Sequence, residues 1–178
     1  VPGKEPHDLE LTIKETAAIA EADLVVFERG FQPAVDDGVE TSAVGAVLDA
    51  ADAVELRHVD EAEHEEGEEG EEDHDHGDVD PHFWQDPLLL ADLGDAVAEA
   101  LADVDDEHAA AYAANAADLR ADLTALDASY TAGLAGCERD TVVVSHDAFG
   151  YLEKYGLHFE AIAGLSPDAE PTPADLAR

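Results

Sequence analysis

The feature that most constrains the fold is a long apolar repeat in the second half of the chain. Its members recur at three- and four-residue spacing: Tyr112, Ala116, Leu119, Leu123, Leu126, Tyr130 and Leu134. This spacing places them on one face of an α-helix. A helix over residues 105–134 would be roughly 45 Å long. A compact domain of this size does not need such a length, so we expect a rigid strut between two lobes.

Shorter patterns on both sides of this helix predict alternating helices and strands. Before it, we expect helices over 12–22 and 42–51, strands over 23–27 and 53–57, and a helix that begins at Asp86-Pro87. After it, we expect a strand over 141–145, a short helix over 149–155, a strand over 158–163 and a helix that begins near Thr172. Such alternation is typical of an α/β fold with parallel sheets.

The predicted organisation is therefore two parallel-sheet lobes joined by one long rigid helix. We assign residues 1–103 to an N-terminal α/β lobe, 104–135 to the linking helix and 136–178 to the start of a C-terminal α/β lobe. Two strands are too few to bury both faces of a sheet in the second lobe. The chain also begins on a loop that leads straight into a helix. We therefore expect a fragment with an incomplete second lobe.

Residues 58–80 interrupt the first lobe with a segment that cannot build a core. They contain 13 Asp or Glu and no Lys or Arg. Because apolar periodicity is lacking, we predict a disordered loop. Its histidines are His58, His64, His74 and His76. They could hold a metal ion with low affinity, since ordering a flexible chain costs entropy. The alternative is a solvated acidic spacer.

Charge and cysteine content narrow the possible ligands. The net charge is −37, from 45 acidic against 8 basic residues. A protein so negative is repelled by nucleic acid, whereas a cation suits its field. Cys137 is the single cysteine, so neither an intramolecular disulfide nor a cysteine-rich metal site can form. We expect Cys137 to be a small buried or half-buried residue.

Three further histidines lie in separate short motifs on predicted connections. His7 lies in Glu-Pro-His-Asp-Leu-Glu, His82 in Asp-Pro-His-Phe-Trp-Gln-Asp-Pro, and His146 in Val-Val-Val-Ser-His-Asp-Ala-Phe-Gly. His146 ends a predicted strand, where open α/β sheets bind their ligands. Neutral imidazole is a common metal ligand, and three of them leave one position on zinc open. We predict that His7, His82 and His146 form a metal site.

Carboxylates beside these histidines are candidates for supporting roles. A metal-bound histidine usually donates its other ring N–H to an acceptor. The candidate acceptors are Asp8, Asp80 and Asp147. Each of them could instead cap a helix or a turn. Glu5 is a candidate fourth ligand through oxygen. The aromatic pair Phe83 and Trp84 is expected to be core, with a role in shielding the metal as the alternative.

At these motifs the chain resembles the ZnuA-like zinc- and manganese-binding solute receptors of bacterial metal-uptake ABC transporters. The resemblance lies in residues 5–8, 80–87 and 145–151, and it extends through 162–173. It implies two α/β lobes with the metal between them. His7 and His82 would come from the first lobe and His146 from the second. It also implies a receptor and not an enzyme.

The resemblance further implies which ion and which partner the chain has. Zn²⁺ is favoured over Mn²⁺, since a histidine rather than a carboxylate at position 146 suits zinc. The receptor would be a monomer outside the cytoplasmic membrane, lipid-anchored or periplasmic, and would deliver its ion to the membrane permease of an ABC transporter. The export signal and the end of the second lobe would lie outside this chain.

Two other functions remain open. Three histidines and a water also describe the site of a zinc hydrolase, although the chain has no HExxH-type helix or clear general base. The same scaffold would also serve as a metal-binding surface adhesin or metal buffer. Detectable turnover would favour the first, and the absence of a neighbouring permease gene would favour the second.

Overall fold

The computed structural model of the chain describes residues 6–59 and 79–165. Several sequence predictions lie outside these ranges. They concern Glu5, His64, His74, His76, most of the segment predicted to be disordered, and the helix near Thr172.

The first lobe opens with a capped helix and a parallel pair of strands. Helix α1 (Ile13–Glu21) begins at a capping box. The Thr12 hydroxyl accepts a hydrogen bond from the Glu15 amide at 3.3 Å, and the Glu15 carboxylate accepts one from the Thr12 amide at 2.7 Å. Strand β1 (Leu24–Phe27) pairs in parallel with β2 (Ala46–Asp49). Helix α2 (Pro33–Ser42) connects them. The predictions over 12–22 and 23–27 are confirmed.

Two other predictions in this lobe are wrong. No continuous helix covers residues 42–51, where one was expected. This range holds the last residue of α2, the strand β2 and the start of the short helix α3 (Ala50–Ala53). The strand expected over 53–57 is replaced by β3 (Arg57–His58), which pairs antiparallel with β4 (Val79–Asp80). The alanine- and valine-rich stretch suits either state, and its pairing with β1 decides for the strand. The β3–β4 pair also shows that both ends of the segment 58–80 are ordered.

Two long helices follow and pack against each other. Helix α4 (Pro87–Val104) starts at Asp86, whose carboxylate accepts the Leu88 amide at 2.8 Å. A 3₁₀ helix (Asp106–His108) leads into α5 (Ala109–Leu134). The predicted long helix is thus confirmed, with 26 residues in α5. Ala116 and Leu123 form its buried stripe.

The second lobe consists of a parallel pair of strands and the 3₁₀ helix between them. Strands β5 (Thr141–His146) and β6 (His158–Ala163) confirm the two predicted strands. The short helix expected over 149–155 is the 3₁₀ helix Gly150–Tyr155, and Gly156 ends it at φ 85°. Parallel pairing in both lobes confirms the α/β class. Cys137 is exposed, because it lies on the turn that ends α5, so its predicted burial is wrong.

A small apolar core lies where the two lobes meet. Ala50, Val54 and Phe83 from the first lobe are buried together with Tyr151 from the 3₁₀ helix Gly150–Tyr155. This core packs the 3₁₀ helix that follows β5 against α3 and the 3₁₀ helix Phe83–Gln85. Within residues 6–59 and 79–165, the helices lack the combined length and apolarity that a bilayer span requires.

Candidate metal centre

Three histidines from distant parts of the chain converge at one point. His7 precedes α1, His82 is the N-cap residue of the 3₁₀ helix Phe83–Gln85, and His146 is the last residue of β5. Nε2 of His7 lies 3.4 Å from Nε2 of His82. The ring centroid of His146 is 5.9 Å from that of His7 and 5.5 Å from that of His82. One ring nitrogen from each residue lies within 4.8 Å of the other two.

The spacing of the ring nitrogens suits a single small ion. Two ligands that each lie about 2.1 Å from a tetrahedral zinc ion are roughly 3.4 Å apart. The separation between His7 and His82 equals this value. Within the described ranges, this is the one group of three or more histidine, cysteine or acidic side chains close enough to share an ion.

Asp80 fixes the orientation of His82. One carboxylate oxygen, Oδ1, accepts the main-chain amide of His82 at 3.0 Å and lies 2.8 Å from its Nδ1. Both residues are buried, with 0% and 2% of their surfaces exposed. With the carboxylate ionised, Nδ1 carries the proton and Nε2 presents its lone pair to the other histidines. Asp80, one of the three candidate acceptors, thus contacts a histidine ring of the cluster, and its supporting role stays a prediction.

A chain of hydrogen bonds ties Asp80 to the second lobe. The Tyr151 hydroxyl donates to the Asp80 carbonyl oxygen at 2.7 Å and accepts the Arg57 amide at 2.8 Å. Burial raises the pKa of Tyr151 to about 12, so the hydroxyl keeps its proton as a donor at neutral pH. The main chain beside His82 is thus held from both lobes.

Aromatic side chains cover one flank of the histidine cluster. The Phe31 ring lies 4.7 Å from the His7 ring, and the Trp84 ring lies 5.3 Å from the His82 ring. Phe31 and Trp84 also contact each other at 5.2 Å. Phe83 is core, as predicted, whereas Trp84 is 37% exposed and borders the site, which corrects its assignment to the core. Phe31 was missed because it lies in a loop without periodicity.

The other predicted site residues lie in varied surroundings. Asp8 is exposed. The Asp147 amide donates to the Gly164 carbonyl at 3.0 Å, which joins the turn after His146 to the end of β6. His58 is exposed on β3 and is not part of the histidine cluster.

A half-buried acid, Glu28, follows β1 and was missed by the sequence analysis. Burial raises the pKa of Glu28 to about 8, and the carboxylates of Asp49, Asp80 and Asp36 add to the effect. The contribution of the three carboxylates, which is smaller than that of burial, reflects a negative potential around Glu28. That potential favours a cation over an anion in this part of the molecule.

The comparison with protein-family models and the comparison with curated proteins agree on one family. The model of the family described as "Zinc-uptake complex component A periplasmic" matches residues 1–178. The zinc-binding lipoprotein AdcA of Streptococcus pneumoniae is 36% identical over 186 residues. That match covers 98% of this chain but 36% of AdcA.

Solved structures give a matching fold. A Zn(II)-bound variant of AdcAII of Streptococcus pneumoniae has a TM-score of 0.82 at 27% identity, over 98% of this chain and 64% of that one. The laminin-binding protein Lmb of Streptococcus agalactiae, described as bifunctional with adhesin and metal-transporting activity, has a TM-score of 0.80 at 26% identity. Its match covers 98% of this chain and 62% of Lmb. The chain therefore spans between about a third and two thirds of these relatives.

Proposed function

Because this chain belongs to the zinc-uptake complex component A family, we propose that it is the zinc-capturing part of an uptake receptor. His7, His82 and His146 are the proposed ligands. The observation that carries this proposal is the 3.4 Å separation of Nε2 in His7 and His82, with the His146 ring beside both.

The donor set favours zinc among the divalent metals. Three neutral imidazoles suit Zn²⁺, whereas Mn²⁺ prefers carboxylate and carbonyl oxygen. Asp80, whose carboxylate contacts the cluster, is engaged with Nδ1 of His82 and supports that ring instead of offering itself as a ligand. The fourth position is left to water or to an oxygen ligand such as Glu5.

We further propose the division into lobes and the role of the whole receptor. Residues 1–103 form the first lobe, 104–135 the linking helix and 136–178 the start of the second. The ion lies between the lobes, since His7 and His82 come from one and His146 from the other. The receptor acts as a monomer outside the cytoplasmic membrane and passes Zn²⁺ to an ABC permease. The family description as a periplasmic component of a zinc-uptake complex supports this role.

A competitive zinc titration with a chromophoric chelator tests the ligand set. We expect the 178-residue chain to bind one Zn²⁺ tightly, and His146→Ala to weaken this site by on the order of 100-fold or more, because one of three ligands is lost. The matched control replaces His64, His74 and His76 together by Asn and should keep the tight site. Tight binding that survives His146→Ala but disappears in the triple variant would assign zinc to the acidic segment and refute the proposal.

A surface adhesin that also binds metal is the second candidate. The likeness to Lmb supports it. Laminin binding to the immobilised chain, with zinc and with a chelator, separates it from a receptor that acts in uptake alone. The hydrolase alternative is less favoured, because the family is described as part of an uptake complex and Asp80 is already bonded to His82.

A further inference from the structure

The Arg57 side chain lies where the first lobe meets the connection after His146. Its Nη1 lies 4.0 Å from Oδ2 of Asp80 and 3.6 Å from Oε2 of Glu153. The side chain is 34% exposed, but Nη1 itself is buried. Its main-chain amide donates to the Tyr151 hydroxyl at 2.8 Å. Arg57 thus contacts the support of His82 and two residues of the 3₁₀ helix Gly150–Tyr155.

Gly150 leaves the space that the guanidinium of Arg57 fills. A Cβ atom built on Gly150 would overlap Nη1 of Arg57 and would lie 2.5 Å from Cζ. The positive-φ glycines of the described residues are Gly30 and Gly156, so what Gly150 provides is space for the guanidinium and not an unusual backbone conformation. Gly150 follows His146 by four residues. The guanidinium of one lobe therefore docks into the motif that carries the third histidine of the other.

The buried carboxylate of Asp80 explains why a positively charged side chain lies at this position. Asp80 is completely buried, and its Oδ1 already serves His82 twice. Its Oδ2 is buried without a hydrogen bond from the described residues and lies within ion-pair distance of Nη1 of Arg57. A buried carboxylate is costly unless a positive charge compensates it. Asp80 also lies close enough to Glu28 to contribute to the raised pKa of that side chain, so Glu28 supplies no positive charge to compensate it.

We propose that Arg57 is a positioning residue that holds His82 and His146 in register across the two lobes. On the His82 side it acts through Asp80, whose negative charge it compensates. On the His146 side it acts through Gly150 and Glu153. It does not itself bind the ion. This inference rests on the proposed function, because it assigns Arg57 to the assembly of that zinc site.

Two single variants and their combination test the proposal in the 178-residue chain. Arg57→Gln removes the charge, and Gly150→Ala adds one methyl group that displaces the guanidinium from its place. We expect each to weaken zinc binding by about 10- to 100-fold, the range for residues that orient a metal ligand. Because both substitutions act on the same contact, their effects should not add. The double variant should bind zinc at least as tightly as the single variant with the lower affinity. Arg29→Gln, at an arginine paired with Asp49, is the matched control and should bind as the wild type.

Nitrogen-15 NMR of the histidine rings in the metal-free chain gives a readout that general destabilisation does not move. We expect one Nδ1–H tautomer for His82 in the wild type and a mixture of tautomers in Arg57→Gln. Thermal unfolding of each variant identifies any that fail to fold. If Gly150→Ala disrupts folding through its overlap with Arg57, the double variant should restore folding.

The outcomes separate the two proposals. A wild type without a tight three-histidine site contradicts the proposed function. If the wild type has that site, two results overturn the role of Arg57 and leave the proposed function intact. One is unchanged zinc affinity in both single variants, and the other is fully additive losses of affinity in the double variant. Misfolding of Gly150→Ala in both backgrounds also overturns it, since the added methyl group would then clash with something other than Arg57.

Discussion

At the scale of single residues, a buried carboxylate decides how the histidine cluster presents its nitrogens. Asp80 lies 2.8 Å from Nδ1 of His82, so Nε2 is left to face His7. The sequence offered three acidic candidates for this support and could not choose among them, because the choice depends on the course of the main chain. The motif Asp-Pro-His places Asp80 two residues before His82, where one oxygen reaches both the amide and the ring.

Glu28 should make stability depend on pH. Burial raises its pKa from 4.5 to about 8, with neighbouring carboxylates adding to the shift. The folded protein therefore keeps a proton that the unfolded chain releases, and stability falls as pH rises from about 4.5 to about 8. We expect Glu28→Gln to stabilise the protein by roughly 1–2 kcal/mol at pH 8, since solvent screens part of the effect.

Thermal unfolding between pH 5 and pH 8 measures this effect. The melting temperature of Glu28→Gln should exceed that of the wild type by a few degrees at pH 8, and the gap should close towards pH 5. The exposed Glu55→Gln is the control and should show no such trend. A gap that does not change with pH would show that Glu28 does not titrate differently in the folded protein.

At the scale of elements, one lysine joins three of them. Nζ of Lys154, in the 3₁₀ helix Gly150–Tyr155, lies 2.6 Å from Oδ1 of Asp86 and 2.8 Å from Oδ1 of Asp127. Asp86 caps α4, and Asp127 lies on α5. The Tyr155 hydroxyl also donates to Asp127 at 2.7 Å. Lys154 thus ties the connection after His146 to both long helices.

Removing this lysine should loosen the second lobe from the helices. Lys154→Met keeps the length and the apolar stem but loses both ion pairs, and we expect a loss of about 1 kcal/mol in the free energy of unfolding. Lys14→Met, on the exposed face of α1, is the matched control and should change little. Urea denaturation gives both values, and equal midpoints for the two variants would contradict the prediction.

At the scale of the whole molecule, the dominant property is net charge. The value of −37 on 178 residues destabilises the compact state through self-repulsion and attracts cations. Both effects weaken when salt shortens the screening length from about 30 Å at 10 mM to about 3 Å at 1 M.

Salt should therefore stabilise this protein. We expect the melting temperature of the metal-free chain to rise by several degrees between 10 mM and 1 M NaCl, because screening reduces repulsion among the acidic side chains. Choline chloride is the control, since its bulky cation screens charge but cannot occupy a small site. A rise with NaCl that choline chloride does not reproduce would point to sodium binding in place of screening.

The sequence by itself determined the α/β class, the long helix and the identity of the histidines that meet. Helical periodicity predicts α5, a β-branched run predicts β5, and short motifs point to the histidines, because each of these signals is local. Only the tertiary structure decided that residues 46–49 form a strand, that Trp84 borders the site, and that Arg57 fills the space beside Gly150. Each of these depends on partners distant along the chain, whose proximity no local pattern encodes.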